Sequence, residues 1–158
     1  MTDFNLETVI TKSIIVRRNV ETAFRIWTEK TDLWWPKDHI INRDPNTQII
    51  IEGQVGGRFY ERSPDGSEHD WGLVTIWEPP HRLVYTWNRG SSVERPTRVE
   101  VQFIALEQDQ TRVEVQHRGP EYVGEVWYQT NATYKRAWEH VLPRYAATCD
   151  KSLSVNNL

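Results

Sequence analysis

The hydrophobic period of this chain changes twice, and those two changes restrict the fold more than any single motif does. Between Asn19 and Trp27 the apolar residues Val20, Ala23, Phe24 and Trp27 recur at i, i+3, i+4 and i+7, which is one stripe of a helix. From Thr47 to Arg118 apolar and polar residues alternate instead, interrupted by turn residues, as in consecutive strands. Beyond Gly119-Pro120 the helical period returns: Trp127, Tyr134, Trp138, Val141 and Tyr145 stand 7, 4, 3 and 4 residues apart on one face. A run of antiparallel strands has one face to bury. A terminal helix with an aromatic stripe is the element available to cover it.

The elements can be bounded. A strand is predicted over Val9–Val16, and the helix after it starts with Asn19 as cap and Glu21 in the first turn. A short second helix spans Thr31–Trp35 and stops at Pro36. Six strands follow, at Thr47–Glu52, Gly57–Arg62, His69–Glu78, Arg82–Asn88, Thr97–Leu106 and Thr111–Arg118. Gly53, Gly56, the turn Ser63-Pro64-Asp65-Gly66 and Pro79-Pro80 separate them. The charged stretch Arg89 to Glu100 reads as a solvated hairpin loop. In the clearest hairpin Val99, Val101 and Phe103 share a face on one strand, as do Val113, Val115 and His117 on the other. The faces of Trp71 and Trp77 stay open, because a bulge near Pro79 would swap them. Pro143 predicts a kink or break late in the last helix, or a new first turn near Leu142. The layout is α+β, a meander sheet wrapped around a terminal helix. Residues 8–150 read as a single domain, with loose tails at 1–7 and 151–158.

Several function classes are disfavoured. The formal net charge is −3 with the signs interspersed, so nucleic acid and a polybasic membrane anchor are not expected. No apolar run approaches the roughly 18 residues of a membrane span. Met1 to Thr11 lacks an apolar core of the signal-peptide kind, so a cytoplasmic location is expected. The single Cys149 excludes an internal disulfide, and it sits near the fraying end of the last helix. No G-x-S-x-G elbow is present, and the Gly53 to Gly57 cluster leads into a strand rather than a phosphate-holding helix. His39, His69, His81, His117 and His140 form no HxH or HxxxH pair. Asp38-His39 and His69-Asp70 would point to opposite faces on a strand, so no metal site and no cofactor are expected.

What stands out is the aromatic set: eight Trp, six Tyr and four Phe in 158 residues. Trp71, Tyr85, Trp87, Trp127, Tyr134 and Trp138 are candidates to line a space between sheet and helix, with Phe24, Trp27, Trp34 and Trp35 near its mouth. The alternative is that the rings fill that space themselves. His117 should point toward the helix, either to orient a ligand or as a core histidine satisfied by a neighbour. Phe59 is a further candidate for the lining. Glu61 aligns with it by alternation. It reads either as a polar group of the pocket, beside Arg82 or His117, or as part of a salt bridge at the rim.

Taken in order, ITKSIIVRRNVETAFRIWTE, GGRFYE at 56–61, the Asp65-Gly66 turn, WGLVTIWEPPHRLVYTW at 71–87, TRVEVQHRG at 111–119 and AWEHVLPRYAA at 137–147 resemble the activator of Hsp90 ATPase homologue 1-like family of the START-like (SRPBCC) superfamily. The resemblance covers about residues 8–150. It implies a helix-grip fold, in which a curved antiparallel sheet grips the C-terminal helix around a cavity. For function it implies less, because the superfamily includes lipid carriers, cyclases and hormone receptors. Co-chaperones of the family carry a separate N-terminal Hsp90-binding domain, for which there is no room before the first strand of this sequence.

The expected function is non-catalytic binding of a small, largely apolar or aromatic molecule, with His117, Glu61 and Tyr85 as orienting groups. The alternatives are a protein-interaction module presenting Trp34, Trp35 and Trp127 as an exposed patch, and a cyclase- or hydrolase-type enzyme in which His117 or Glu61 moves a proton.

Overall fold

In a computed structural model, residues 6–88 and 95–155 are described, the last four by their backbone alone. The chain runs β1 (Val9–Val16), α1 (Val20–Glu29), α2 (Thr31–Trp34), β2 (Gln48–Ile51), β3 (Arg58–Arg62), β4 (Glu68–Glu78), β5 (Arg82–Trp87), β6 (Thr97–Glu107), β7 (Gln110–Arg118), α3 (Pro120–Val123) and α4 (Trp127–Val155). The seven strands form one antiparallel sheet in the order β1-β7-β6-β5-β4-β3-β2. Each strand from β2 to β7 pairs with its sequence neighbour, and β1 closes against β7 from Val9↔Arg118 to Val16↔Thr111. The sheet curls around α4 as a half-barrel, the helix-grip arrangement that the resemblance implies.

Local chemistry explains most boundaries. The Asn19 side chain accepts a hydrogen bond from the Thr22 N–H at 2.8 Å and starts α1 where the periodicity does. Val20, Ala23, Phe24 and Trp27 are buried on its inner face. In the β6–β7 hairpin Val99, Val101, Phe103, Val113, Val115 and His117 are all buried, so its register matches the alternation.

The sheet also resolves the open faces of β4. The pairing steps from Tyr60↔Asp70 to Phe59↔Gly72 and from Val74↔Tyr85 to Ile76↔Val84, leaving Trp71 and Thr75 as extra residues. The bulge that matters is therefore inside the strand rather than near Pro79. Trp71 and Val74 are buried, and Trp77 packs its ring 5.1 Å from Phe24 of α1. At the first bulge β4 and β5 approach so closely that a Cβ on Gly72 would lie 1.8 Å from the Thr86 carbonyl oxygen.

Three expectations need correction. The final helix neither breaks at Pro143 nor restarts near Leu142; α4 is continuous from Trp127 to Val155. Pro143 lies on the exposed side, where water can satisfy the carbonyl that its ring deprives of a partner, while Leu142 and Tyr145 are buried on the opposite side. Cys149 is not at a frayed end, since its thiol is fully buried and its carbonyl accepts from Arg18 Nε at 3.1 Å. Residues 97–100, which fell both in the predicted strand from Thr97 and in the stretch read as a solvated loop, belong to the strand β6; residues 89–94 of that stretch lie outside the described residues. Among the described residues next to the two ends, the Glu7 carbonyl accepts from both Trp127 Nε1 and Asn131 Nδ2, and α4 carries the backbone of 151–155.

Candidate functional site

The aromatic residues divide into a packed core and a cleft. Trp27 stands at the centre of the core, with ring centroids 4.7 Å from Trp34, 5.0 Å from Tyr145 and 6.1 Å from Phe103. Phe59, Trp71 and Tyr85 form the neighbouring group on the sheet. Trp127 is clamped by its Nε1–H bond to the Glu7 carbonyl and lies against Gly119, where a Cβ would fall 1.8 Å from Trp127 Cε3. Of the predicted pocket residues, Trp27, Trp34, Phe59, Glu61, Trp71, Tyr85 and Trp127 are therefore placed outside the cleft lining. The patch of Trp34, Trp35 and Trp127 expected of a protein-interaction surface does not form, because all three are buried by these contacts.

The cleft lies between the open end of the sheet and α4 and has a volume of about 500 Å³. Trp35, at the end of α2, Trp87, at the end of β5, and Trp138 of α4 make its apolar walls, with centroids 5.7 to 6.4 Å apart. His117 of β7 and Tyr134 of α4 complete the inner end, their rings 4.3 Å apart. The rim is built by Thr133, Arg136, Ala137 and His140 of α4, with His39 opposite. The sequence reading missed these rim residues. Their signal is a second stripe beside the aromatic one, with Thr133, Ala137 and His140 at i, i+4 and i+7. A second groove of similar volume lies between α1 and β2, but of its lining only Phe24 and Trp77 are aromatic.

His117 has both ring nitrogens engaged. Trp138 Nε1, which can only donate, lies 3.1 Å from Nδ1, so Nδ1 carries no proton. Nε2 therefore carries it and donates to Thr97 Oγ1 at 2.6 Å, and the hydroxyl passes its own proton toward the Trp87 carbonyl at 3.3 Å. Complete burial drives the imidazole pKa down to about 3, keeping it neutral. His117 thus fixes the indole of Trp138 and the end of β5, two walls of the cleft, and has no free lone pair for base chemistry.

Glu61 is likewise buried but is not beside Arg82 or His117. Its carboxylate accepts from the backbone N–H groups of Ile41 (2.6 Å) and Asn42 (2.7 Å) and from Trp71 Nε1 (2.9 Å). Arg82 pairs with Glu100 and Glu78 instead. Glu61 therefore anchors the loop that carries His39. Trp35 holds the same loop from inside, donating Nε1–H to the His39 carbonyl at 2.9 Å. This loop brings Asp38 and His39 against His140 of α4, a grouping that spacing alone had argued against. The pair occupies a turn rather than a strand, so both side chains face the helix. The hydrogen bond from His39, with His140 alongside, holds the Asp38 carboxyl below its usual range.

The family model described as activator of Hsp90 ATPase homolog 1-like protein matches residues 17–148. No curated protein sequence gives a match. Among solved structures, the anthrahydroquino-gamma-pyrone synthase Txn09 complexed with SUM is 30% identical, covering 89% of this chain and 96% of that one at a TM-score of 0.59. The self-sacrificing resistance protein CalC from Micromonospora echinospora is 25% identical over 94% of this chain and 97% of that one, with a TM-score of 0.65. The Aha1 dimer from Colwellia psychrerythraea shares the fold at 17% identity, 91% and 97% coverage and a TM-score of 0.62. No helix of the described residues is long and apolar enough to cross a membrane.

Proposed function

The chain belongs to the activator of Hsp90 ATPase homolog 1-like family, and from that premise we propose that it binds a small, flat, largely aromatic molecule in the cleft between sheet and α4, without itself transforming it. The observation that carries this reading is the set of three indoles, Trp35, Trp87 and Trp138, around a space of about 500 Å³. That volume lies within the range of small-molecule sites, roughly 300–1,000 Å³. At those spacings the rings pack against one another as a continuous aromatic wall, against which a planar ligand can lie. Thr133 and Arg136 supply polar contacts at the rim, where a hydroxyl or carboxylate of the ligand would remain wet. Txn09, the anthrahydroquino-gamma-pyrone synthase that is 30% identical, is named for a fused aromatic product and supports the same ligand class. Against a proton-transfer role stands the engagement of both His117 nitrogens within the protein.

The test is thermal denaturation of the whole chain with a panel of planar aromatic compounds, read together with tryptophan fluorescence. A ligand at 100 times its Kd should stabilise the fold by about 2.7 kcal/mol. Ala137→Trp, which places a large ring in the cleft from its rim, should remove the shift while leaving the midpoint of the free protein nearly unchanged. Failure of every compound to give a saturable shift, or an equal shift in the Ala137→Trp variant, would refute the proposal.

A further inference from the structure

We propose that Asp38, His39 and His140 form a binding site for one borderline divalent transition-metal ion, of the zinc or cobalt kind, at the rim of the cleft. Asp38 and His39 are neighbours in one loop and His140 comes from α4, and the donor atoms of all three lie within 4.8 Å of one another. Asp38 Oδ1 is 2.9 Å from His39 Nδ1 and 3.4 Å from His140 Nε2. Two ligands bound to one zinc ion at about 2.0–2.1 Å in tetrahedral geometry are separated by about 3.4 Å, so the pairs already stand near the separations a shared ion requires. Two imidazoles and one carboxylate are a donor set that suits zinc and its neighbours better than calcium or magnesium, which favour all-oxygen sites.

The site is held from beneath. Trp35 Nε1 donates to the His39 carbonyl, and the His39 N–H donates to the Pro36 carbonyl at 3.0 Å. Two residues further on, Glu61 fixes the backbone at Ile41 and Asn42. His140 is carried on α4 and lies in ring contact with His39, centroids 4.8 Å apart and planes 26° apart. The contact between His39 Nδ1 and Asp38 Oδ1 is now a hydrogen bond. For an ion to take that place, His39 adopts the tautomer protonated on Nε2, and Nδ1 turns its lone pair to the metal. Three protein ligands leave a fourth position for water or an incoming donor atom, and both histidines line the cleft. The proposal stands on these three side chains and holds whatever the cleft binds.

Titration of the metal-free whole chain with cobalt(II), followed by visible absorption, and with zinc(II), followed by calorimetry, tests it. The expected result is one equivalent of either ion, with the intense visible bands of low-coordinate cobalt. His140→Ala and Asp38→Asn, both at exposed positions, should weaken binding by more than about tenfold while the thermal midpoint stays unchanged. His81→Ala, in the turn between β4 and β5, should leave binding intact. No saturable binding, or binding that survives His140→Ala, would overturn the assignment, as would an equal loss in His81→Ala.

Discussion

Acidification from pH 8 to pH 5 should destabilise this protein through His117, before most carboxylates begin to take up protons. In the folded chain complete burial holds the imidazole pKa at about 3; in the unfolded chain it returns to about 6.5. The folded value is the depressed one, so the stability it represents is complete above about pH 6.5 and is lost as pH falls toward 3. Between those values the unfolded state binds one more proton, and stability falls by about 1.4 kcal/mol per pH unit. Integrated from pH 8 to pH 5 the loss is about 2 kcal/mol, or a fall in Tm of about 4–8 °C for a chain of this size. That figure needs only a folded pKa well below 5, because His117 then remains neutral over the whole range. The assay is urea denaturation at half-unit pH steps, monitored by tryptophan fluorescence, for the wild type and for His117→Gln. The variant should be less stable at pH 8, having disturbed the hydrogen bonds to Trp138 and Thr97, yet its stability should fall about 2 kcal/mol less on going to pH 5. The other four histidines are common to both proteins, so their contributions cancel in the difference. Parallel curves would refute the reasoning, since they would mean that His117 is protonated as readily folded as unfolded.

Other perturbations test the rest of the framework. Glu61→Gln replaces an acceptor of three donors with an amide that turns an N–H toward some of them, and it should cost about 1–3 kcal/mol in denaturant titrations while loosening hydrogen-exchange protection at Ile41 and Asn42. An unchanged midpoint would show that the clamp is dispensable. Gly119→Ala places a methyl group where the Trp127 ring lies and should cost at least about 1–3 kcal/mol, whereas Gly66→Ala at a turn with open space is limited to the strain of a positive φ. Cys149 should resist thiol reagents in the native protein at pH 8, because burial pushes its pKa up to about 12; labelling should follow the unfolding transition, and rapid labelling of the folded chain would show that the C-terminal part of α4 opens.

Local signals fixed much of the fold in advance. The cap at Asn19, the alternation through the β6–β7 hairpin and the aromatic stripe of α4 each act over a few residues, and each appears where the periodicity placed it. The helix grip follows from one-sided strands and a single helix able to cover them. Non-local effects were out of reach. Pro143 is tolerated in α4 because its ring faces solvent, which depends on the side of the helix that the sheet covers. Trp71, Val74 and Trp77 are brought to bear on the same interior at intervals of three by two extra residues that only strand pairing reveals.

The site divides along the same line. The sequence determined that many rings would meet between sheet and α4, because ring content and periodicity are properties of the chain itself. Which rings fill the core and which border open space was decided by tertiary contacts: Trp27 is closed in by Trp34, Tyr145 and Phe103, while Trp35, Trp87 and Trp138 keep one side toward the cleft. The roles of Glu61 and His117 were decided there too. A buried polar group takes whichever partners the fold brings within about 3 Å, and those partners lie 10 to 21 residues away. Asp38, His39 and His140 meet for the same reason, because a loop clamped by Trp35 and Glu61 sets two of them against a helix that begins some ninety residues later.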